Sequence, residues 1–340
     1  MMRRVRSDYW AMVTGLSIAF FLLFFIYPVS RVFVNSVYDV KTGTFSLDAF
    51  RKFFSKQYYT STIANSFKVT TAATLVTLLS GSLMAYIMST VSIRGKRVID
   101  LMVIVSILSP PFIGAYSWII LLGRAGIVTK ALDAALHVRL PGIYGFMGIL
   151  LVFTVKMTPL MYLFVSGALK KIDASLIECA EGLGCVGFRK LRKIVFPLVL
   201  PTILSSAFLV FMRIFCDFGT PMLIGEGYRT VPVLIYNSFI GEMDQDYAFA
   251  AAMSVIVIAF SVVVFVAQQV IANRSTIEMS SLRPPVPERK RGVWNLLAHL
   301  FVWLVAVLSV LPLCVVVVQS FKKTDGIVYL NQFSLASYRN

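Results

Sequence analysis

Apolar residues fall into seven long runs along the chain, each bounded by a polar or proline-containing segment. The runs cover about 9–29, 63–88, 98–122, 143–168, 198–218, 247–271 and 294–318. At 1.5 Å per helical residue, about 20 apolar residues cross a hydrocarbon layer about 30 Å thick. The pattern therefore predicts seven membrane-spanning helices. The first run is too long for a secretory signal and shows no small-residue cleavage site. Tyr27-Pro28, an interfacial aromatic followed by a helix breaker, is expected to end it. Gly81 and Ala85 in the second run make a small-x-x-x-small pair, which allows close helix approach in lipid. Pro110-Pro111 is expected to break or kink the third. Between runs, 30–62 reads as a polar loop with short helices, and 123–142 as a glycine-containing loop.

Composition agrees with this reading. The 340 residues are 58% hydrophobic and only 14% charged, whereas soluble domains are about a quarter charged. The net charge of +16 raises the question of nucleic acid, but no basic stripe interleaved with aromatics is present. In a membrane protein, excess Lys and Arg mark the cytoplasmic loops. With the N-terminus inside, 17 of the 32 basic residues fall in inside loops and 12 in outside loops. The inside loops are shorter and denser in charge. This orientation makes the chain multi-pass and puts residues 170–196 in the cytoplasm. The four cysteines and two histidines show no metal-ligand spacing, so no metal site is expected. No G-x-x-x-x-G-K-S/T occurs, so no phosphate-binding loop is expected on this chain.

The chain also repeats itself. Tyr27-Pro28 to Ser36 resembles Leu311-Pro312 to Ser320 at an offset of 284. Phe45-Ser46-Leu47-Asp48-Ala49-Phe50-Arg51 resembles Phe333-Ser334-Leu335-Ala336-Ser337-Tyr338-Arg339 at an offset of 288. The expected organisation is a six-span module over 1–272, a cytoplasmic linker over 273–293 carrying Pro284, Pro285 and Pro287, and the start of a second module over 294–340. A full second module would bring the total to roughly 550 to 600 residues.

The polar island between runs four and five carries the candidate chemistry. Ser175-x-x-Glu178 reads as a capping box that starts a short helix. Gly182 and Gly184 are expected to end it through a left-handed turn. Phe188 to Val195 alternates basic and apolar positions at helical spacing, as a helix lying on the membrane surface would. Pro197 and Pro201 are then expected to bend the chain into span five. The result is a helix–turn–helix joined rigidly to two spans, which a partner could push or pull.

This stretch resembles the EAA loop of bacterial ABC-importer permeases: Glu-Ala-Ala, three residues, Gly, nine residues, Ile, two residues, Pro, then a second Pro. Glu178, Ala180, Gly184, Ile194, Pro197 and Pro201 match it, and Cys179 replaces the middle alanine. The six-span module and the Asn65-Ser66 opening of span two also agree. The resemblance implies an all-α type I permease module without ATPase activity, in a bacterial inner membrane. It implies no cofactor on this chain, with ATP bound by a separate ATP-binding-cassette dimer. The loop would be a coupling helix seated in that ATPase, and an extracytoplasmic solute-binding protein would deliver the cargo. Tandem fusion is similar to ferric-iron permeases, as is Asp217-Phe218-Gly219-Thr220-Pro221-Met222-Leu223, so ferric iron is the expected cargo. Phosphonate, thiamine or polyamine are the alternatives.

Lys68, Lys156, Arg213 and Asp217 fall within the predicted spans. Lys68 lies near a span end and can snorkel. Arg213 and Asp217, one helical turn apart, are expected to pair. Lys156 lies near the centre of span four, where a charge costs about 2.5–3.5 kcal/mol, so it should line the substrate path or tie helices together. A membrane-embedded enzyme would need a catalytic pair at membrane depth, and no His-Glu, Asp-Asp or Ser-Lys constellation recurs. A passive channel would not need a capped cytoplasmic helix.

Overall fold

A computed structural model of the chain describes residues 2–39, 43–137, 142–241, 246–274, 287, 292–325, 328–335 and 338. Most of the expected linker 273–293 lies outside the described residues, as do Glu242, Asp244, Ala336, Ser337 and Arg339. The elements in order are α1 (Met2–Phe21), a π turn (Leu22–Ile26), α2 (Tyr27–Val37), β1 (Tyr38–Asp39), β2 (Thr44–Phe45), α3 (Asp48–Ser55), α4 (Gln57–Thr90), α5 (Lys96–Ile107), α6 (Pro111–Leu122) and α7 (Ile127–Leu136). There follow α8 (Gly145–Lys170), α9 (Ala174–Gly182), α10 (Gly187–Lys190), a second π turn (Leu191–Val195), α11 (Phe196–Phe215), α12 (Gly219–Ile224), α13 (Val231–Ile240), α14 (Tyr247–Arg274), α15 (Val293–Ser320), β3 (Lys322–Asp325) and β4 (Val328–Phe333). Among the described residues, seven helical stretches are long and apolar enough to cross a membrane.

Two prolines expected to end or bend helices do not interrupt them. The first span continues through Pro28 to Val37, and α10, its π turn and α11 form one helical stretch, Gly187–Phe215. Proline lacks an N–H and its ring clashes with the carbonyl four residues back. In both places a π turn, then one aromatic residue, precedes the proline. The Tyr27 N–H bonds the Leu22 carbonyl, and the Phe196 N–H bonds the Leu191 carbonyl. Winding in an extra residue shifts the hydrogen-bond register just before Pro28 and Pro197, so the helix passes the proline instead of stopping. By contrast, Pro110-Pro111 breaks the third apolar run as expected, with Pro110 extended (ψ 144°) between α5 and α6, and the third span-length stretch is Phe112–Leu136 rather than 98–122. The glycine-containing segment after it holds α7 rather than an uninterrupted loop. The fifth span ends at Phe215, earlier than expected, and leaves Asp217 outside the helix.

The described chain divides into two compact units. The first holds residues 1–64 and 231–263. Its core gathers Phe53 of α3, Leu234 of α13 and Phe249 and Met253 of α14, with Tyr59 stacked on Phe53 at 6.4 Å between ring centroids. Lys52 bonds Asp246 at 2.7 Å, and Asp246 also accepts from the Phe249 N–H at the start of α14. The most apolar stretch of the first span has no buried residue.

The second unit holds residues 65–230 and 264–340. α8 is its axis, packed against α5, α6, α11, α12 and α15. One half of the core joins Met84 and Met88 of α4, Ile99 and Val103 of α5, Met161 and Val165 of α8, Ile203 of α11, and Val302 and Ala306 of α15. The other joins Val69 and Ala73, Trp118, Ile149 and Phe153, and Val210 and Ile214. α15 is thus part of this core. Near its start, His299 Nε2 accepts from the Arg94 N–H at 3.1 Å, while Nδ1 faces the Asn295 carbonyl at 2.7 Å. That arrangement needs the neutral ring with its proton on Nδ1.

The sequence repeat has a structural counterpart. The Ser36 hydroxyl donates to the Phe33 carbonyl and the Ser320 hydroxyl to the Val317 carbonyl, each at 2.7 Å. An antiparallel hairpin follows each helix, β1–β2 in one case and β3–β4 in the other. Each hairpin closes with a serine N–H on the helix end: Ser46 to Val37 at 2.9 Å, and Ser334 to Phe321 at 2.8 Å.

Gly81 is where α4 comes closest to α8. A Cβ there would lie 2.6 Å from Met161 Cβ, and the neighbouring Ser80 hydroxyl bonds Thr158 across the contact at 2.8 Å. Gly81→Val should cost about 1–3 kcal/mol through overpacking and lower the melting temperature in detergent by about 3–10 °C. Gly15→Val, made where a Cβ meets nothing within 4 Å, should leave it unchanged.

Candidate functional site

The island between α8 and α11 folds as two short helical segments around a tight turn. α9 begins two residues earlier than the capping-box reading requires. Its cap is Asp173, whose carboxylate accepts from the Ser175 N–H at 2.9 Å. Ser175 therefore sits inside the first turn, and Glu178 is exposed rather than folded back on a cap. Asp outcompetes Ser here because its carboxylate also favours the positive end of the helix dipole.

The helix ends in a Schellman motif. The Cys185 N–H bonds the Ala180 carbonyl at 2.8 Å and the Gly184 N–H bonds the Glu181 carbonyl at 2.9 Å. Gly184 takes the left-handed conformation this requires, with φ +78°. Gly182, by contrast, is the last residue of the helix. An ion pair between Glu181 and Lys190 ties α9 to α10.

The loop has two faces. Ala180 is buried, Ile177 packs on the core, and Ile172 just before α9 is fully enclosed. The opposite side shows apolar groups to the surroundings: Leu183 is 88% exposed, Phe188 76% and Val186 59%, with Leu176 beside them. Cys179 is exposed, Ile194 partly buried in the second π turn, Pro197 exposed and Pro201 inside α11. Glu178, Cys179, Ala180 and Gly184 are thus brought together at one end of the unit. Ile194, Pro197 and Pro201 lie on the stalk that carries the loop.

The charges in the spans arrange themselves differently from the sequence expectation. Asp217 does not pair with Arg213, which is exposed. It bonds Lys156 at 2.6 Å, and its other oxygen accepts from the Thr220 N–H at 3.0 Å, at the start of α12. Arg213 and Asp217 miss each other because the helix stops at Phe215, so the one-turn spacing no longer applies. Lys156 and Asp217 are mostly buried, with side chains 22% and 7% exposed. The cavity beside Lys156, lined by Ser106, Ser109, Ser309 and Pro312 among others, measures about 20 Å³. That is room for a single water, not for a solute. In this conformation Lys156 ties α8 to the α11–α12 corner.

A further buried polar pair had no place in the sequence reading. The Tyr162 hydroxyl of α8 donates to Asp100 of α5 at 2.6 Å. A lone Asp within an apolar helix was the available signal.

A multi-pass helical unit bearing a capped, two-faced loop between two spans is the architecture of a transport-system membrane subunit. The chain belongs to the family of binding-protein-dependent transport system inner membrane components, which matches residues 9–277. It is 27% identical over 310 residues to the ferric transport system permease protein FbpB of Actinobacillus pleuropneumoniae, covering 89% of this chain and 45% of that protein. It is 27% identical over 277 residues to the putative 2-aminoethylphosphonate transport system permease protein PhnU of Salmonella typhi, covering 80% of this chain and 94% of that one. The chain spans about half the length of the FbpB proteins it matches. A bacterial ABC transporter involved in the import of the acidic polysaccharide alginate shares the fold, with a TM-score of 0.67 and 16% identity over 81% of this chain and 99% of that one. The chain is therefore a multi-pass inner-membrane permease component.

Removing one partner of the buried ion pair leaves the other charge stranded. Lys156→Met should destabilise the protein by about 3 kcal/mol, read as a lower melting temperature in detergent. Adding Asp217→Asn to that variant should restore part of the loss. A Lys156 that served only a substrate path would leave both melting temperatures at the wild-type value.

Proposed function

We propose that this chain forms one half of the membrane pathway of an ABC importer. α9 is its coupling helix and seats in a separate ATP-binding-cassette subunit, which hydrolyses ATP. An extracytoplasmic binding protein delivers the solute. Closure of the ATPase dimer pushes α9, and the second unit passes that push to the spans as alternating access. The observation that carries this reading is the loop itself: a helix capped at both ends, anchored by Ile172, Ile177 and Ala180, with Leu183, Val186 and Phe188 left outside. A helix held this firmly transmits force instead of absorbing it. The orientation, with the N-terminus and α9 in the cytoplasm, follows from the charge bias of the loops.

The other half is a second permease module, joined to this one in the same chain. The repeated helix-plus-hairpin at Pro28 and at Pro312 supports this, because a module's opening elements occur twice. The packing asymmetry between the copies supports it too. α15 is built into a core, while the apolar stretch of the first span has no buried residue and offers a surface for another body. An in-frame continuation of the gene beyond codon 340, encoding the remaining spans of a second module, is expected. A stop codon there ends the tandem reading.

Two cargoes stay in view. Ferric iron fits the resemblance to the FbpB permeases. A phosphonate fits the PhnU relative and a span cation, Lys68, with no partner among the described residues. Binding of each to the purified receptor protein separates them.

Gly184→Val forces a branched side chain into the left-handed region, and Leu183→Asp puts a charge on the exposed apolar edge. Both variants should reach the membrane at normal levels yet co-purify with less than about a tenth of the wild-type ATPase subunit, a loss of about 1.4 kcal/mol or more. Undiminished co-purification would remove α9 from the coupling role.

A further inference from the structure

The second unit carries an open groove of about 760 Å³ along the first half of α4, within the usual size range of small-molecule sites. Lys68 and Thr71 stand on its α4 side, and Phe146 and Tyr228 form the opposite wall. Three other partly buried lysines meet carboxylates: Lys52 with Asp246, Lys156 with Asp217, Lys190 with Glu181. Lys68 is exposed, lies within a spanning helix, and has no partner among the described residues. No carboxylate lines the groove. A cation kept in a span without a counter-ion is costly, and such residues mark solute paths.

The walls around it are held in place. The Tyr228 hydroxyl donates to the Asn65 carbonyl at 2.8 Å, and the Asn65 side-chain N–H donates to the Arg229 carbonyl at 3.1 Å. Phe146 meets Tyr228 edge to face at 5.5 Å. Phe67 is braced by Phe215 at 5.3 Å. Burial holds the Tyr228 hydroxyl above its ordinary ionisation range, so this wall stays neutral and does not oppose a negative ligand. The groove therefore pairs an ammonium and a hydroxyl donor, three residues apart on one helix face, with a rigid aromatic wall.

We propose that this groove is a binding site for a small organic oxyanion, a phosphonate-bearing solute, on its way through the permease. The Lys68 ammonium and the Thr71 hydroxyl take the oxyanion, and the Phe146–Tyr228 wall takes the organic body. A bare ferric ion does not suit it, because a hard cation needs oxygen ligands and the cationic Lys68 repels it. This inference rests on the permease reading above and assigns its cargo class.

The test uses the assembled transporter, with its ATPase subunit, in phosphatidylcholine nanodiscs, and 2-aminoethylphosphonate as probe. Binding is followed by phosphorus NMR line broadening. Saturable binding is expected, weakened at least tenfold by Lys68→Gln and several-fold by Thr71→Val. Lys68→Arg should keep it within about threefold, and Lys130→Gln, on α7, should not alter it. Melting temperatures of the variant complexes show whether each is folded. No binding to the wild-type complex, or equal binding to a folded Lys68→Gln complex, overturns the proposal. So does loss of probe binding when phosphatidylglycerol is added, which would make the groove a lipid headgroup site. A chain that never assembles with an ATPase subunit would instead sink the permease reading itself.

Discussion

Hydrocarbon offers a backbone no hydrogen bonds, so every irregularity in a spanning helix must be satisfied by the protein itself. The fold is shaped by how it meets that demand at its prolines. Pro28 and Pro197 are each preceded by a π turn that resets the hydrogen-bond register, and the helix continues. At Pro110-Pro111 two successive missing N–H groups leave nothing to reset, and the span divides into α5 and α6. The break is covered within the second unit by α8, α12 and α15. At Pro197 the result is one helical stretch from Gly187 to Phe215, which joins the α9 loop to the core of the unit.

The same scarcity of water governs the charges. Asp217 is fixed twice, by Lys156 and by the Thr220 N–H, and so locks α8 to the corner where α11 gives way to α12. The Tyr162–Asp100 bond locks α8 to α5. With Gly81 seated against Met161 of the same helix, α8 has polar or close-packed ties to most of its neighbours. These ties join α8 to the helices around it within the second unit. Lys68 is set apart by contrast: its charge is not used in such a tie.

Much of this was legible from residue order. The number of spans, the broken third span, the left-handed end of the loop helix at Gly184 and the repeat at Pro28 and Pro312 all follow from local rules. These are periodicity, proline chemistry and the need for glycine at positive φ. The errors share one cause. Ser175 heads an S-x-x-E pattern, but Asp173 lies two residues nearer the end of α8 and its carboxylate accepts from the Ser175 N–H. Arg213 and Asp217 were paired by helical spacing, and the helix ends between them. Pro28 reads as a stop and Pro197 as a bend, since a π turn that carries a helix past a proline has no signature in sequence.

The amino-acid sequence by itself determined that this chain lies in a membrane, that its Pro28 and Pro312 segments repeat one another, and that the segment around Glu178 to Gly184 forms a short helix with a glycine-closed end. Composition, period and turn chemistry are local, and a bilayer enforces them strictly. Tertiary structure alone decided which carboxylate meets Lys156, that α15 joins the core around α8, that Leu183, Val186 and Phe188 form the outer face of the loop, and that Lys68 is left facing an open groove. Those outcomes depend on which helix faces which, and side chains 61 residues apart, such as Lys156 and Asp217, have no local rule that can pair them.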